Sequence, residues 1–414
     1  MRERIRLITG LQAAGILAMT GFSTFASLLV ELSRLWHLDP ARAGWIASAY
    51  LVGYAVGVPV LVGLTDRIDS RAVYAGGCAI GFLSGAGFAS VASGFWSAVA
   101  FRAIAGVSLA ATYMPGLRIL TDRLPSKARI RSVPYYTATF GIGVSLSFWM
   151  SGWVAQRYGW QAAFYASGLG PVVAAITMFF GTSNTPVGTE MSVPAVTRNP
   201  LDFRPVFKNR DALAYVLAYG GHAWELFGFR AWLPAYLLFV WTRFGARNPG
   251  ATTTNLASVI TIASVPASIL GAEFAMRWSR SREIRAVALA SVAVGFGTAV
   301  AGTFSVALAT LALFLWAFAI SADSGALTAG AVTAMRPGEQ GATLAVYSLV
   351  GFVGGAVGPI AAGAALSSGG GLDMPLAWWL ALPAIAAGSA LTALAMLFAP
   401  HGAHETEYHE AALE

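Results

Sequence analysis

Long apolar runs separated by short polar segments dominate the chain from end to end. A helix needs about 20 apolar residues to cross the hydrocarbon core of a bilayer. The runs are continuous and do not alternate with a period of two, so the pattern favours helices over strands. It predicts an all-α integral membrane protein with twelve transmembrane helices, near residues 7–30, 43–64, 72–92, 95–120, 132–156, 160–180, 211–239, 251–276, 285–303, 305–334, 341–366 and 376–399.

Two polar segments organise these helices into two halves of six. The segment 183–210 is rich in proline and is typical of a tether that cannot span a bilayer. We therefore predict an N-terminal six-helix half at 1–182, a cytoplasmic linker at 183–210, a C-terminal six-helix half at 211–400 and a polar cytoplasmic tail at 401–414. The apolar run at 7–30 is about twice as long as the core of a signal peptide, which favours a retained first helix.

The charge distribution supports the same picture. Hydrophobic residues make up 57% of the chain and charged residues 11%, whereas soluble domains carry about 25% charged residues. The net charge of +7 comes from short basic clusters at alternating helix ends rather than from one patch. That distribution argues against nucleic-acid binding and predicts that both termini face the cytoplasm. Arginine far outnumbers lysine, which is typical of a GC-rich bacterium, so we expect a multi-pass protein of the bacterial cytoplasmic membrane.

Several classes of chemistry have no support in the sequence. Cys78 is the only cysteine, so neither an intramolecular disulfide nor a cysteine metal site is expected. The chain contains no phosphate loop and no H-E-x-x-H or G-x-S-x-G motif. We therefore predict a protein that is not an enzyme and that uses no cofactor, no metal and no direct ATP drive.

The two halves repeat a basic cluster between their second and third helices, at 66–71 and at 277–282. With the six-plus-six layout, this repeat resembles the major facilitator superfamily. The stretch Val62–Arg71 is similar to the family's G-x-L-a-D-R-x-G-R-R loop, although Asp69 replaces its second glycine. The resemblance implies a twelve-helix transporter with a conformational latch in this loop. The latch residues would be Asp66, Arg67 and Arg71, with Glu273 and Arg277 in a degenerate copy in the second half. The alternative is that these charges only fix the orientation of the helices.

A second element, Arg102 to Gly106, resembles the family's R-x-x-x-G motif in the fourth helix, which is often linked to proton coupling. The Gly-Pro element that marks antiporters in the fifth helix is absent from this chain: Gly141 and Gly143 are followed by Val144 rather than by proline. This difference weakens an interpretation as a drug–proton antiporter.

Few ionisable residues fall deep in the predicted membrane region, where charges are costly and usually face a cavity. They are Arg102, His222, Glu225, Arg230 and Asp323. The resemblance implies that the first, fourth, seventh and tenth helices line a central cavity, and all five residues lie on the last three of these. We predict that Glu225, His222 and Asp323 couple protons to transport. His222 and Glu225 are three residues apart and so share a helical face, on which they either exchange a proton or form a packing pair.

The predicted substrate pocket combines the two deep arginines with aromatic and hydroxyl residues on the same helices. A guanidinium grips a carboxylate or another oxyanion with two hydrogen bonds. The predicted substrate-binding residues are Arg102, Arg230, Tyr113, Tyr219, Trp224, Trp316, Thr112 and Thr24. Alternatively, Glu225 and Asp323 neutralise the arginines and the substrate is uncharged or cationic.

The sequence therefore predicts a monomeric secondary active transporter in the lipid bilayer. It would carry a small-molecule substrate together with protons by alternating access around a central cavity. The missing antiporter element and the deep arginines favour uptake of a small organic or inorganic anion. One alternative is proton-driven efflux of drug-like or metabolite compounds. Another, from a different class, is a membrane sensor or scaffold that does not transport.

Overall fold

The computed structural model describes residues 2–182, 203–277, 279–336 and 340–399, and every regular element in these ranges is a helix. Residues 183–202 of the predicted linker and the predicted tail 401–414 lie outside the described ranges. In chain order the helices are α1 (Arg2–Ala18), α2 (Thr24–Leu35), α3 (Pro40–Leu64), α4 (Ser70–Val91), α5 (Phe95–Asp122), α6 (Ser126–Thr182), α7 (Arg204–Lys208), α8 (Arg210–Arg243), α9 (Gly250–Ala263), α10 (Val265–Arg277), α11 (Arg280–Phe304), α12 (Val306–Ala322), α13 (Ser324–Thr333), α14 (Gln340–Ser368) and α15 (Pro375–Ala395).

These helices form twelve membrane spans. Nine helical stretches in the described ranges are long and apolar enough to cross a membrane. One of them, Tyr135–Thr182, contains two spans that meet at Gly159, where a φ of +84° suits glycine and turns the chain back. The two further spans are α8 and the pair formed by α1 and α2. The prediction of an all-α membrane protein with twelve transmembrane helices is confirmed.

Three of the spans are interrupted within the bundle. The first is broken between α1 and α2, where residues 19–23 leave the helical conformation. The eighth is interrupted at Ser264, between α9 and α10, and the tenth at Asp323, between α12 and α13. The interruptions at Ser264 and Asp323 are slight, because helical backbone hydrogen bonds continue from Ser264 N–H to Ile260 and from Leu327 N–H to Asp323. The break at residues 19–23 is wider, and its backbone groups bond to side chains of other helices, as a membrane interior requires.

The two halves pack closely at one end of the bundle, which we call the distal end because it lies opposite the first residues of α1. There α3 meets α14, and a Cβ atom on Gly44 would lie 2.5 Å from the carbonyl oxygen of Pro359. The backbone N–H of Ala41 also donates to Ser367 Oγ over 3.0 Å. Glycine is required at Gly44 because only its missing side chain lets the two backbones approach so closely.

The hydrophobic core is divided between the halves at the other end of the bundle, which we call the terminal end. Toward the distal end, by contrast, one hydrophobic cluster combines residues of both halves, including Tyr50 from the first and Trp232 from the second. Two smaller clusters each belong to one half: Leu7 and Tyr136 lie in one, and Tyr215 and Tyr347 in the other. The halves thus share a core toward the distal end and have separate cores at the terminal end.

Candidate transport site

Arg102 lies inside the first half, against the break in the first span. Its Nη1 and Nη2 atoms donate to the carbonyl oxygens of Gly21 and Phe22, each over 3.1 Å. The guanidinium also lies 4.5 Å from the centroid of the Tyr50 ring. Arg102 therefore supplies donors to carbonyls that the interrupted helix cannot satisfy. It also lines a cavity of about 30 Å³ within the first half, together with Ser84.

The two threonines predicted to line the pocket also face the interior of the first half. Thr24 is fully buried, donates to the carbonyl of Thr20 and accepts a hydrogen bond from Ser151 Oγ over 2.9 Å. Thr112 bonds to carbonyls of its own helix, at Ser108 and Leu109. The Thr24 contact joins α2 to α6 within one half, and the Thr112 bonds stay inside α5.

Glu225 is fully buried inside the second half and is surrounded by donors from three other helices. Ser291 Oγ lies 3.0 Å from both carboxylate oxygens, and Trp316 Nε1 donates to Oε1 over 2.8 Å. Ser389 Oγ donates to Oε2. The carboxyl group therefore ties α8 to α11, α12 and α15, with the Trp316 ring buried beside it.

His222 pairs with Asp323 rather than with Glu225. His222 Nδ1 lies 2.8 Å from Asp323 Oδ1, and both side chains are 3% exposed. His222 Nε2 lies 3.2 Å from Ser324 Oγ. Asp323 occupies the interruption between α12 and α13, so the break in the tenth span presents a carboxylate to the imidazole. A protonated imidazole would form an ion pair here.

The central site lies where the two halves meet and consists mainly of aromatic rings. Its rings come from the first, second, fourth, fifth, seventh and eleventh spans. We define the central aromatic cluster as Phe22, Tyr50, Tyr54, Tyr113, Phe140, Phe227 and Phe352. The rings of Tyr54 and Phe352, from opposite halves, have centroids 4.0 Å apart. Tyr219 lies near this cluster on α8 and stacks on Tyr347 at 4.0 Å.

Arg230 is the deep cation that lies beside the central aromatic cluster. Its guanidinium carbon is 5.6 Å from the Phe140 centroid and 6.0 Å from the Phe227 centroid. Its Nη1 atom is buried and has no hydrogen-bond partner among the described residues. Arg230 also lines a cavity of about 10 Å³ with Thr261, Ser264 and other residues, so it faces the interruption of the eighth span.

This arrangement differs from the expectation that all five deep ionisable residues surround one chamber. Arg230 lies between the halves, whereas Arg102 and Glu225 bond to partners within their own halves. Trp224 likewise donates its Nε1–H to the carbonyl of Ala384 within the second half. The direction in which a deep polar residue points was not visible in the sequence, because lipid and protein core select the same apolar side chains.

The predicted latch residues of the first half lie in or beside the loop between α3 and α4, and those of the second half lie in α10. Asp66 pairs with Arg118 of α5, in the same half, and Arg118 also lies 3.5 Å from Asp122. Arg71 pairs locally with Asp69 at 3.2 Å. Arg67 and, in the second half, Glu273 are exposed. The Arg277 side chain lies outside the described residues.

The structure also contains a buried carboxyl group that the sequence analysis did not identify. Glu283, in the first turn of α11, is 1% exposed. It was not among the candidate residues, and it follows directly on the basic cluster at 277–282. Two features of the sequence point to Glu283. The neighbouring residue Ile284 is apolar, and Arg280 lies three residues earlier, so Arg280 and Glu283 fall in the first turn of one helix. No group of three His, Cys, Asp or Glu side chains suited to a metal occurs in the described residues.

Comparisons with known proteins agree with this architecture. The sequence profile of the Major Facilitator Superfamily matches residues 13–359. The gallate transporter of Pseudomonas putida is 25% identical over 88% of this chain and 85% of its own. The niacin transporter NiaP of Acinetobacter baylyi is 24% identical over 53% of this chain, and the match spans 56% of that protein. The 4-hydroxybenzoate transporter PcaK of the same organism is 23% identical over 36% of this chain.

Solved structures show the same fold. A bacterial homolog of the human lysosomal transporter Spinster, in an inward-facing conformation, superposes with a TM-score of 0.78 at 14% identity, covering 96% of each chain. A D-xylose–proton symporter superposes with a TM-score of 0.75 at 13% identity, over 97% of this chain and 98% of its own. The chain therefore belongs to the Major Facilitator Superfamily, and it is a membrane transporter rather than an enzyme.

Proposed function

We propose that the protein takes up a small aromatic carboxylate, together with protons, by alternating access around the central aromatic cluster. The observation that carries this proposal is the position of Arg230 beside the rings of Phe140 and Phe227, with a buried Nη1 that finds no hydrogen-bond partner in the described part of the chain. A carboxylate fits a guanidinium, and an aromatic ring of the substrate fits rings that pack edge to face.

The relatives support this substrate class. Three of the matching proteins are named as transporters of niacin, gallate and 4-hydroxybenzoate, all of which are aromatic rings that carry a carboxylate. Tyr113 and Tyr219 lie on α5 and α8 near the same cluster, and their hydroxyl groups are suited to polar substituents on such a ring. Arg102, Trp224, Trp316, Thr24 and Thr112 would support the site from within each half, because their polar atoms bind inside it.

Alternating access is supported by the difference between the two ends of the bundle. The halves share a core toward the distal end and separate cores at the terminal end. A rocking motion that opens the distal end would break the contact between Gly44 and Pro359 and close the opposite side. In the bacterial cytoplasmic membrane we assign the terminal end, with both chain termini, to the cytoplasm, because the basic residues cluster there. The latch residues around Asp66 lie at this end.

We infer that His222 and Asp323 form the proton-coupling pair, with Glu225 as a third candidate. The pair is buried, and its Nδ1 to Oδ1 distance of 2.8 Å lets the two side chains share a proton. Glu225 already accepts hydrogen bonds from three side chains and is therefore held more rigidly. Loss of pH-driven accumulation in Asp323→Asn, with substrate exchange retained, is the expected signature of coupling at the pair.

The proposal is tested with purified protein in right-side-out proteoliposomes under an imposed pH gradient. We expect inward accumulation of nicotinate or 4-hydroxybenzoate, and no accumulation of the neutral analogue nicotinamide. In Arg230→Gln the half-saturating substrate concentration should rise roughly 10- to 100-fold, because a hydrogen bond to a charged group contributes about 1.5–3 kcal/mol. Arg243→Gln, at the exposed end of the same helix, is the matched control.

Other outcomes separate the competing functions. Net extrusion of substrate against the gradient would identify an exporter. Equal transport of nicotinate and nicotinamide, with no effect of Arg230→Gln, would contradict recognition of the carboxylate. Saturable binding without any transport, in vesicles that retain a pH gradient, would favour the sensor.

A further inference from the structure

Glu283 is a buried acid that none of the interactions described above explains. It lies three residues into α11, at the terminal end of the bundle, and is 1% exposed. Neither of its carboxyl oxygens has a hydrogen-bond partner among the described residues. An ionised carboxylate in such a place is strongly unfavourable unless a proton or a cation neutralises it.

Glu283 also belongs to a group of acids inside the second half. Ile284, the residue after Glu283, packs in one buried cluster with Ala326 and Leu327, which follow Asp323 closely in the chain. This packing brings the start of α11 beside the interruption of the tenth span, and the charges of Glu283 and Asp323 interact, as do those of Asp323 and Glu225. His222 from α8 contacts Asp323 directly, and the titratable groups whose charges interact with Asp323 are Glu225 from α8, Glu283 from α11 and Tyr347 from α14. None of these acids forms an ion pair with an arginine or lysine among the described residues. The three carboxyl groups and one imidazole therefore compete for protons.

Glu283 connects this set of acidic residues to the terminal end of the bundle. Asp323 lies at the interruption of the tenth span, deep in the bundle, whereas Glu283 lies in the first turn of the ninth. Successive residues of a helix rise about 1.5 Å, so Glu283 sits within roughly one turn of the end of its helix. Nothing in this arrangement passes through the central aromatic cluster or Arg230.

We propose that Glu283 is the exit group for the transported proton, through a route inside the second half that is separate from the path of the substrate. The proposal rests on the proton coupling proposed above. Because Glu283 makes no direct hydrogen bond to either residue among the described residues, water carries the proton between them. An O–H bond on Asp323, or an N–H bond on His222, breaks as a water molecule accepts the proton, and an O–H bond forms on the Glu283 carboxylate as that water releases a proton. The Glu283 carboxylic acid then transfers this proton to water at the cytoplasmic end and is ready for the next one. The substrate leaves between the halves.

The test separates proton movement from substrate movement in the full-length protein. Substrate counterflow at equal pH on both sides needs no net proton transfer, whereas accumulation driven by a pH gradient does. With 4-hydroxybenzoate as the probe, we expect Glu283→Gln to lower pH-driven accumulation at least tenfold and to leave counterflow within twofold of the wild type. Glu283→Asp keeps an ionisable group and should retain accumulation. Glu3→Gln, an exposed acid at the same end, is the control.

The remaining outcomes decide against the proposal. Wild-type accumulation in Glu283→Gln overturns it. Loss of counterflow in both Glu283 variants assigns the residue a structural role and also overturns it. If the wild type carries no aromatic carboxylate, the proposed function fails. Infrared titration of the substrate-free protein tests the role of Glu283 independently of that result. A carboxylic-acid band that titrates in the wild type and is missing from Glu283→Gln supports the exit group, and identical spectra overturn it.

Discussion

Arg102 Nη1 donates a hydrogen bond to the carbonyl oxygen of Gly21, 81 residues away in sequence, across the first half of the protein. The partner bond from Nη2 reaches Phe22. These bonds explain how the first span can be interrupted in a membrane, where each free carbonyl is costly. They also show that a charged residue deep in a transporter can have a structural role.

The first prediction follows from this contact. Arg102→Ala leaves the carbonyls of Gly21 and Phe22 without their donors, and each loss should destabilise the fold by about 1–3 kcal/mol. We expect a clear fall in the thermal unfolding midpoint of the detergent-solubilised protein. Arg42→Ala, which removes an exposed 3.6 Å ion pair with Asp39, should change the midpoint little. A normal midpoint for Arg102→Ala, with weakened substrate binding, would instead place Arg102 in the substrate site.

The second prediction concerns closure of the distal end. The methyl group of Gly44→Ala would lie 2.5 Å from the Pro359 carbonyl oxygen, a distance that requires the two backbones to separate. We expect the variant to favour the conformation that is open at this end and to transport slowly. Cross-linking of Arg34→Cys to Asp373→Cys by a bifunctional thiol reagent, at positions whose native charged atoms lie 3.5 Å apart, reports closure.

The matched control for this experiment is Gly76→Ala, where an added Cβ atom meets nothing within 4 Å. The native Cys78 is buried, so it contributes little background to the cross-linking. Equal cross-linking in Gly44→Ala and the wild type would contradict the idea that this glycine permits closure.

The third prediction concerns Glu225. A glutamine at this position would place an NH₂ group among three side-chain donors, from Ser291, Trp316 and Ser389, so at least one donor would lose its acceptor. We expect Glu225→Gln to lower the free energy of unfolding by about 1–3 kcal/mol. Ser389→Ala removes only one donor and should have a smaller effect. Unchanged proton coupling in folded Glu225→Gln would exclude this residue as the coupling group.

The fourth prediction concerns pH and the loop before α4. Partial burial on its own raises the pKa of the Asp69 carboxyl group. Hydrogen bonds from the backbone and side chain of Arg71, together with the charges of Arg71 and Arg123, outweigh burial and hold this pKa below its usual range. A lowered pKa means that ionised Asp69 stabilises the folded state above the ordinary carboxyl pKa of about 4, and that this stabilisation is lost as the pH falls through the lowered value.

Asp69→Asn should therefore destabilise the protein at neutral pH and lose this effect in acid. Because the Asp69 side chain is 49% exposed, we expect less than about 1 kcal/mol. Unfolding midpoints of the variant and the wild type should converge as the pH is lowered below about 4. A difference that persists unchanged in acid would point to a role for Asp69 other than its charge.

The sequence was sufficient for the fold because hydropathy and charge report which segments cross the bilayer. It also identified Asp323 as an ionisable residue deep in the membrane region, and the structure places this residue at an interruption of its helix. The break at residues 19–23 was not predicted, because the partners of its backbone groups come from distant helices, such as Arg102 on α5 and Ser147 on α6.

The pairing of the deep residues was equally hidden. His222 and Glu225 share a face within about 60° on an ideal helix, yet one meets Asp323 and the other meets Trp316. A lipid-facing surface and a packed core both favour apolar residues, so no periodic pattern records which way a helix is rotated. Glu283 was missed for the opposite reason, since its sequence neighbours are charged and only the fold shows that it is buried.

The partners of Arg102, Glu225 and Asp323 all belong to the same half as the residue itself. Each half therefore provides the partners of these three residues itself, and no ion pair among the described residues joins the two halves at mid-membrane. In the described ranges, three kinds of contact would separate at the distal end. They are the close approach of Gly44 to the Pro359 carbonyl, hydrogen bonds of serine hydroxyl groups and the exposed ion pair of Arg34 with Asp373. Such weak, short-range contacts make for two conformations of similar energy, so occupancy of the site between the halves can decide which of them prevails.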